Sequence, residues 1–159
     1  GYETCFVGKW HLSILEKEQE GYPDPGSQGF DHWFATTRNA SNSPKNPGSF
    51  IKNGQPVGEI DGWYCNIIVE EAIDWLKNKR EQDKPFFLMV ASHEPHTPID
   101  PPDESRDMYK NPRDDRLEQT IKYGGVPRRK GDIPESKSEY YGPVSQLDQA
   151  FGNLVNFVD

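Results

Sequence analysis

An α/β fold is predicted by three features of the sequence. A helix-periodic segment opening near Asp61 or Gly62 runs into a six-residue apolar block, Phe86 to Ala91, and a helix followed by a buried strand is half of a β-α-β unit. That block has no polar position, as expected of a parallel strand buried on both faces. Two more β-prone stretches, in Gly1 to Trp10 and Phe30 to Thr37, come before the helix. Fourteen glycines and fourteen prolines among 159 residues then require long irregular connections.

The elements follow in order. Tyr2, Cys5 and Val7 give Gly1 to Trp10 partial apolar alternation, so it reads as a short strand running into a loop. Ser13 to Gln28 is polar and carries Gly21, Pro23, Pro25 and Gly26, which makes it a surface loop. Phe30 to Thr37 is aromatic and reads as a second strand. Arg38 to Phe50 is rich in Asn, Ser and Pro and reads as loop. Asn53-Gly54, between short runs in Phe50 to Val57, signals a hairpin. Tyr64, Ile67, Ile68, Ala72, Trp75 and Leu76 recur at helical spacing, with Val69 and Ile73 widening the stripe. Lys77, Lys79 and Arg80 gather where the helix dipole favours cations, so the helix should end near Arg80. Ser92 to Pro134 is a long, proline-rich connection with room for a short helix near Arg113 to Tyr123. The final segment is amphipathic, with Val144, Leu147, Phe151, Leu154, Val155 and Val158 on one stripe. Ser138 is its expected cap, and Pro143 has to sit in about the first turn.

Composition excludes several classes. The formal charge is −8, so there is no basic footprint for a phosphate backbone and nucleic acid is excluded as the main partner. No apolar run approaches the roughly 18 residues of a membrane span. The two cysteines, Cys5 and Cys65, form no C-x-x-C pair and read as small buried apolar residues. The chain opens on Gly1 in the middle of a strand pattern and stops within a helical one. Residues 1–159 are therefore expected to be one partial domain, truncated at both ends, with no signal peptide in view.

The chemistry-bearing residues cluster after strands. Lys9 and His11 follow the first strand, and His93 and His96 follow Phe86 to Ala91. In an open α/β sheet, ligands bind beyond the carboxyl ends of the strands. A lysine with several imidazoles suits an oxyanion, since lysine brings fixed charge and histidine donates or carries a proton near neutrality. Scattered loop histidines with local hydrogen bonds are the plain alternative. Zinc on His93-x-x-His96 with Asp100 is disfavoured, because Pro95 and Pro98 break any helix that would align the imidazoles. Asn39-Ala40-Ser41 matches the glycosylation triplet, which is common by chance.

Four segments carry a resemblance. Gly1-Tyr2-Glu3-Thr4 with Gly8-Lys9-Trp10-His11-Leu12 resembles the G-Y-x-T-x-x-x-G-K-W-H-L-G signature of the formylglycine-dependent sulfatases, members of the alkaline-phosphatase-like superfamily. Gly29-Phe30-Asp31-His32-Trp33-Phe34 is similar to the family's G-F-D-x-F-F-G. Pro85-Phe86-Phe87-Leu88 through Ser92 and Pro95-His96-Thr97-Pro98 resembles P-F-F-L-Y-x-S-x-x-x-P-H-x-P. Tyr140-Tyr141, Val144, Leu147-Asp148 and Gly152 match the helix that follows, and together the segments span nearly the whole chain. Ser13 and Ala35 stand where the family has glycine.

The resemblance implies part of an alkaline-phosphatase-like domain, with a mixed, mostly parallel sheet flanked by helices and long loops. It implies hydrolysis of a sulfate ester, carbohydrate sulfate being the expected substrate, in the periplasm or outside the cell. By the same resemblance Lys9 contacts the sulfate, His11 assists release of sulfate from the enzyme, and His96 protonates the leaving oxygen. Asn39 stands where related enzymes hold a polar side chain near the nucleophile, and is expected to bind substrate. His93 and His32 have no settled family role, so a His93 substitution is expected to be mild. Calcium and a formylglycine are implied for the full-length enzyme, with no metal ligand in this segment. Cys5 is followed by Phe-Val-Gly and Cys65 by Asn-Ile-Ile, and neither is the C-x-P-S-R or C-x-A-S-R site that yields formylglycine. The segment alone is therefore expected to be inactive. The alternatives are a phosphonate monoester or phosphodiester hydrolase of the same superfamily, and a non-catalytic binder of sulfated glycans. Oligomeric state is not legible in these residues.

Overall fold

The computed structural model describes residues 1–16, 22–40, 43–109 and 137–159. Its centre is a five-stranded sheet in the order β4-β3-β2-β1-β5. Strands β1 (Glu3–Lys9), β2 (His32–Thr36) and β5 (Phe86–Ala91) run parallel, with β1 between the other two. The hairpin β3 (Ile51–Lys52) and β4 (Gln55–Pro56) extends the sheet antiparallel to β2. Asn53 and Gly54 both have positive φ, 47° and 85°, the two-residue turn that the Asn-Gly pair favours.

The parallel core follows from β-prone strands joined by long crossovers. Cys5 pairs with His32 on one side and Leu88 on the other, and Gly8 pairs with Ala35 and Ala91. Gly8 has a φ of 111°, and a Cβ there would meet the Ala91 carbonyl oxygen at 1.9 Å. Only glycine permits both that backbone and that approach. Double-sided burial, expected of Phe86 to Ala91, is found instead along β2 and through the middle of β1. Among the described residues β5 is an edge strand. Phe86, Leu88 and Val90 pack on the main core, while Phe87 and Met89 on the other face are 52% and 45% exposed.

One face of the sheet is covered by α1 (Tyr64–Asp74) and α3 (Lys137–Val158). Phe34, Phe50 and Tyr64 stack in series there, with ring centroids 4.1 and 4.8 Å apart. The opposite face buries Phe6, Trp10, Trp33, Ala35 and Ile51. The predicted helix is present but stops being regular α at Asp74, continuing as one wide turn, Trp75–Lys79, that ends at Arg80. No side chain of its own caps α1. Glu94, from the loop after β5, takes that place: its Oε1 accepts the Cys65 N–H at 3.1 Å, putting a carboxylate on the positive end of the helix.

The carboxyl-terminal helix differs from expectation in two ways. It begins at Lys137, so Pro143 lies inside it, in the second turn. Its buried positions are Gly142, Pro143, Gln146, Ala150 and Leu154; of the expected stripe Leu147, Phe151 and Leu154 pack on the core, whereas Val144, Val155 and Val158 are exposed. The helix packs on α1 and also on a short helix, α2 (Asp103–Asp107), against which Gly142 is pressed: a Cβ on Gly142 would stand 3.1 Å from the Arg106 backbone. Helix α2 carried no sequence signal. The helix expected near Arg113 to Tyr123 lies outside the described residues.

Candidate active site

Lys9 ends β1, and the chain continues along β2 past it: Trp10 N–H donates to the Thr36 carbonyl at 2.9 Å, and His11 N–H to the Thr37 carbonyl at 3.0 Å. These bonds hold His11 at the sheet edge with a φ of 56°. A left-handed backbone costs a non-glycine residue on the order of 1–2 kcal/mol, and such outliers concentrate where function demands a position.

Beyond the strand ends opens a cleft of about 520 Å³. Its walls include His11 and Glu16 from the loop after β1, Arg38 and Asn39 after β2, Ser49 before β3, and Thr97 and Pro98 after β5. Thr37 donates its hydroxyl to Glu16, which ties the first of these loops to the second. His96 lies beside the cleft rather than in its lining. The Asn39 amide nitrogen reaches His96 Nδ1 at 2.5 Å and donates to the Thr97 carbonyl at 3.1 Å. Three sequence-predicted residues, His11, Asn39 and His96, are thus joined by this cleft and its rim. Lys9 is half-buried at the end of β1, and its charge acts on His93.

His93 is 2% exposed, and both ring nitrogens are engaged by backbone. Nδ1 accepts the Ala40 N–H at 3.2 Å, and Nε2 donates to the Pro98 carbonyl at 3.0 Å. The ring therefore pins the residue after Asn39 to the residue after Thr97. Burial, above all, pushes the His93 pKa below its ordinary value; the charges of His96 and Lys9 act in the same direction against the opposing pull of the Pro98 carbonyl and Glu94. The imidazole is a neutral structural link with no nitrogen left for a metal.

The same geometry speaks against a glycan on Asn39, whose amide nitrogen is taken up by His96 and Thr97. Asn39 Oδ1 and Ser49 Oγ, by contrast, are buried with no partner among the described residues. Arg38, Ser49, Glu16 and Thr97 were not singled out from the sequence. Arg38 carried a signal, being next to Asn39; Ser49 is one serine in a Ser- and Pro-rich loop and carried none.

The residues described here fit neither calcium nor a formylglycine. No group of three His, Cys, Asp or Glu side chains gathers among them. Cys5 and Cys65 are fully buried, and burial raises both thiol pKa values strongly, so neither is an available nucleophile.

Comparisons place this geometry among known proteins. The Sulfatase family model matches residues 1–159. The chain is 30% identical over 203 residues to an arylsulfatase of Clostridium perfringens (strain 13 / Type A), covering 98% of this chain and 40% of that protein. It is 34% identical over 96 residues to the N-acetylglucosamine-6-O-sulfatase of Bacteroides thetaiotaomicron, covering 60% of this chain and 15% of the relative. A solved structure of a protein with its substrate D-glucosamine-2-N,6-O-disulfate superposes with a TM-score of 0.66 at 19% identity, over 99% of this chain and 44% of that one. The chain thus spans less than half the length of these three proteins. With its mixed sheet flanked by helices, in the alkaline-phosphatase-like α/β fold of its structural neighbours, the chain belongs to the sulfatase family.

Proposed function

We propose that the protein containing this chain is a sulfuric ester hydrolase acting on a sulfated carbohydrate, with Lys9, His11 and His96 catalytic and Asn39 contacting substrate. The observation that carries this reading is the polar cleft beyond the strand ends, with His11, Arg38 and Asn39 in its walls and His96 held at its rim. A sugar hydroxyl is both donor and acceptor, and so is suited to Asn39 Oδ1 and Ser49 Oγ, which have no protein partner among the described residues. The name of the Bacteroides relative and the disulfated glucosamine in the structural neighbour support the carbohydrate assignment.

In the family, formylglycine supplies the nucleophile and calcium offsets charge on the sulfuryl group. The roles proposed here belong to this chain's own side chains. Lys9 places a fixed positive charge near the sulfuryl oxygens, where charge builds in transfer. His96 protonates the departing sugar oxygen, and His11 takes up a proton when sulfate is released. Export to the periplasm or beyond is part of the same proposal. Among the described residues no helix is long and apolar enough to cross a membrane.

The test uses the full-length protein on a sugar sulfate and on nitrophenyl sulfate. His96→Ala should slow the sugar sulfate far more, because a nitrophenolate leaves without a proton. Equal losses would remove the acid role from His96. Binding of the sulfated sugar without turnover would favour a non-catalytic lectin-like protein, and faster cleavage of a phosphodiester would favour the other hydrolase class.

A further inference from the structure

Resting on that reading, we propose that Asn39 is also a positioning residue for His96: with the Thr97 carbonyl it engages Nδ1, and so commits Nε2 as the nitrogen that exchanges a proton with substrate. Three polar atoms form a triangle. The Asn39 amide nitrogen is 2.5 Å from His96 Nδ1 and 3.1 Å from the Thr97 oxygen, and Nδ1 is 2.7 Å from that oxygen. The amide sits on the Nδ1 side of the ring, with Nε2 farther away at 3.4 Å.

Proton counting gives the triangle its meaning. The amide has two N–H groups, and the Thr97 carbonyl only accepts. When His96 is neutral with its proton on Nε2, one amide N–H goes to Nδ1 and the other to Thr97. When His96 is an imidazolium, Nδ1–H donates to the Thr97 carbonyl, and the amide, now facing a donor, keeps only its own bond to that carbonyl. In both of these resting states Nε2 carries a proton, and only transfer to substrate removes it. Transfer breaks the Nε2–H bond of the imidazolium and forms an O–H bond on the departing sugar oxygen. The N–H electron pair stays on Nε2, which leaves the neutral Nδ1–H tautomer bonded to the Thr97 carbonyl, and Nε2 then takes a proton from water to restore the imidazolium. His93 supports the arrangement by tying Ala40 to Pro98, the neighbours of Asn39 and Thr97.

Other charges also face this imidazole. The His93 ring centroid stands 6.2 Å from that of His96, Glu94 and Asp100 share a small cavity with it, His11 and Arg38 line the neighbouring cleft, and Lys9 acts on His93. Helix α3 contributes the neutral Gln146. The Glu94 carboxylate is held by Cys65 N–H and the Ser92 hydroxyl, and Asp100 by the Ser43 hydroxyl. Asn39→Asp leaves all of them in place and adds one carboxylate beside Nδ1.

The experiment is made on the full-length protein, with the His96 imidazole followed by nitrogen NMR across pH and turnover followed on a sugar sulfate. Asn39→Asp should raise the His96 pKa by about 1 unit or more, and move the basic limb of the kcat profile up with it. Asn39→Ala should lower kcat on the sugar sulfate by about tenfold or more, with a smaller loss on nitrophenyl sulfate. An unchanged His96 titration in Asn39→Asp would overturn the proposal. So would an Asn39→Ala variant that raises KM at unchanged kcat, which would leave Asn39 a substrate contact only. If the wild type hydrolyses no sulfate ester, the functional reading fails, while the NMR titration still decides the positioning role. If Asn39→Ala does not fold, the near-isosteric Asn39→Asp carries the test.

Discussion

Replacing His93 by alanine should destabilise the protein by about 3–5 kcal/mol, a large share of the 5–15 kcal/mol that keeps a domain folded. The sum is built from the geometry. Truncation strands the Ala40 N–H and the Pro98 carbonyl, now bonded at 3.2 and 3.0 Å. Each buried orphan costs about 1–3 kcal/mol, with the carbonyl toward the lower end because it has a second lone pair. The missing ring, 2% exposed and 5.6 Å from the Tyr64 ring centroid, leaves a cavity worth about 1–2 kcal/mol more. The mild effect expected from sequence concerned catalysis; the stability loss arises because His93 joins the loops that carry Asn39 and His96. The pH dependence has a definite sign. The folded-state pKa is depressed, so the unfolded chain binds more protons just below the ordinary value of about 6.5, and stability falls as pH drops through that window. Denaturant unfolding of the full-length protein at pH 5 and 8, with amide exchange at Ala40, measures both effects. His93→Gln should keep a donor for Pro98, lose less stability than alanine, and remove the His93 contribution to the pH slope. Unchanged unfolding midpoints and unchanged exchange at Ala40 in His93→Ala would refute the pin.

Other perturbations read other parts of the fold. Gly8→Ala should be severely destabilising, by about 3 kcal/mol or more, since the positive φ and the 1.9 Å approach to Ala91 must both be relieved; calorimetry of the full-length protein checks it. Glu71 accepts hydrogen bonds from His32 at 2.7 Å, Lys52 at 2.8 Å and Lys79 at 2.9 Å. Burial alone would raise its pKa, but the three donors prevail and bring it to about 2. Its stability contribution, at most about 3 kcal/mol, is therefore present above about pH 4.5 and lost as pH falls toward 2, and Glu71→Gln should flatten that limb of an acid titration. Cys5 and Cys65 should resist a thiol reagent in the native protein and react together on unfolding, because burial raises both thiols; fast labelling of either would contradict their place in the core. The isolated 159-residue chain should self-associate through β5, whose outer edge has no partner strand among the described residues, and Phe87→Lys with Met89→Lys should reduce association in sedimentation experiments.

What the sequence determined by itself is local and periodic. Strand positions, the Asn53-Gly54 turn and the helix from Tyr64 follow from short-range pattern and turn chemistry. By resemblance, the G-K-W-H-L and P-H-T-P segments single out Lys9, His11 and His96 as the expected catalytic residues. The tertiary structure decided everything that depends on which segments meet. Phe86 to Ala91 reads as doubly buried, yet among the described residues no strand pairs with its outer edge and Phe87 and Met89 are exposed, since apolar character states a preference and only topology supplies the cover. Of the stripe expected along α3, Leu147, Phe151 and Leu154 pack on the core and Val144, Val155 and Val158 do not, while Gly142 meets the Arg106 backbone 36 residues away in sequence, a contact no local pattern announces. Glu94 as the cap of α1, and His93 as a neutral link between two loops, have no sequence signature at all. Each bonds to backbone groups, and every residue has those; which N–H or carbonyl is left over for a side chain to satisfy is known only once the chain has folded.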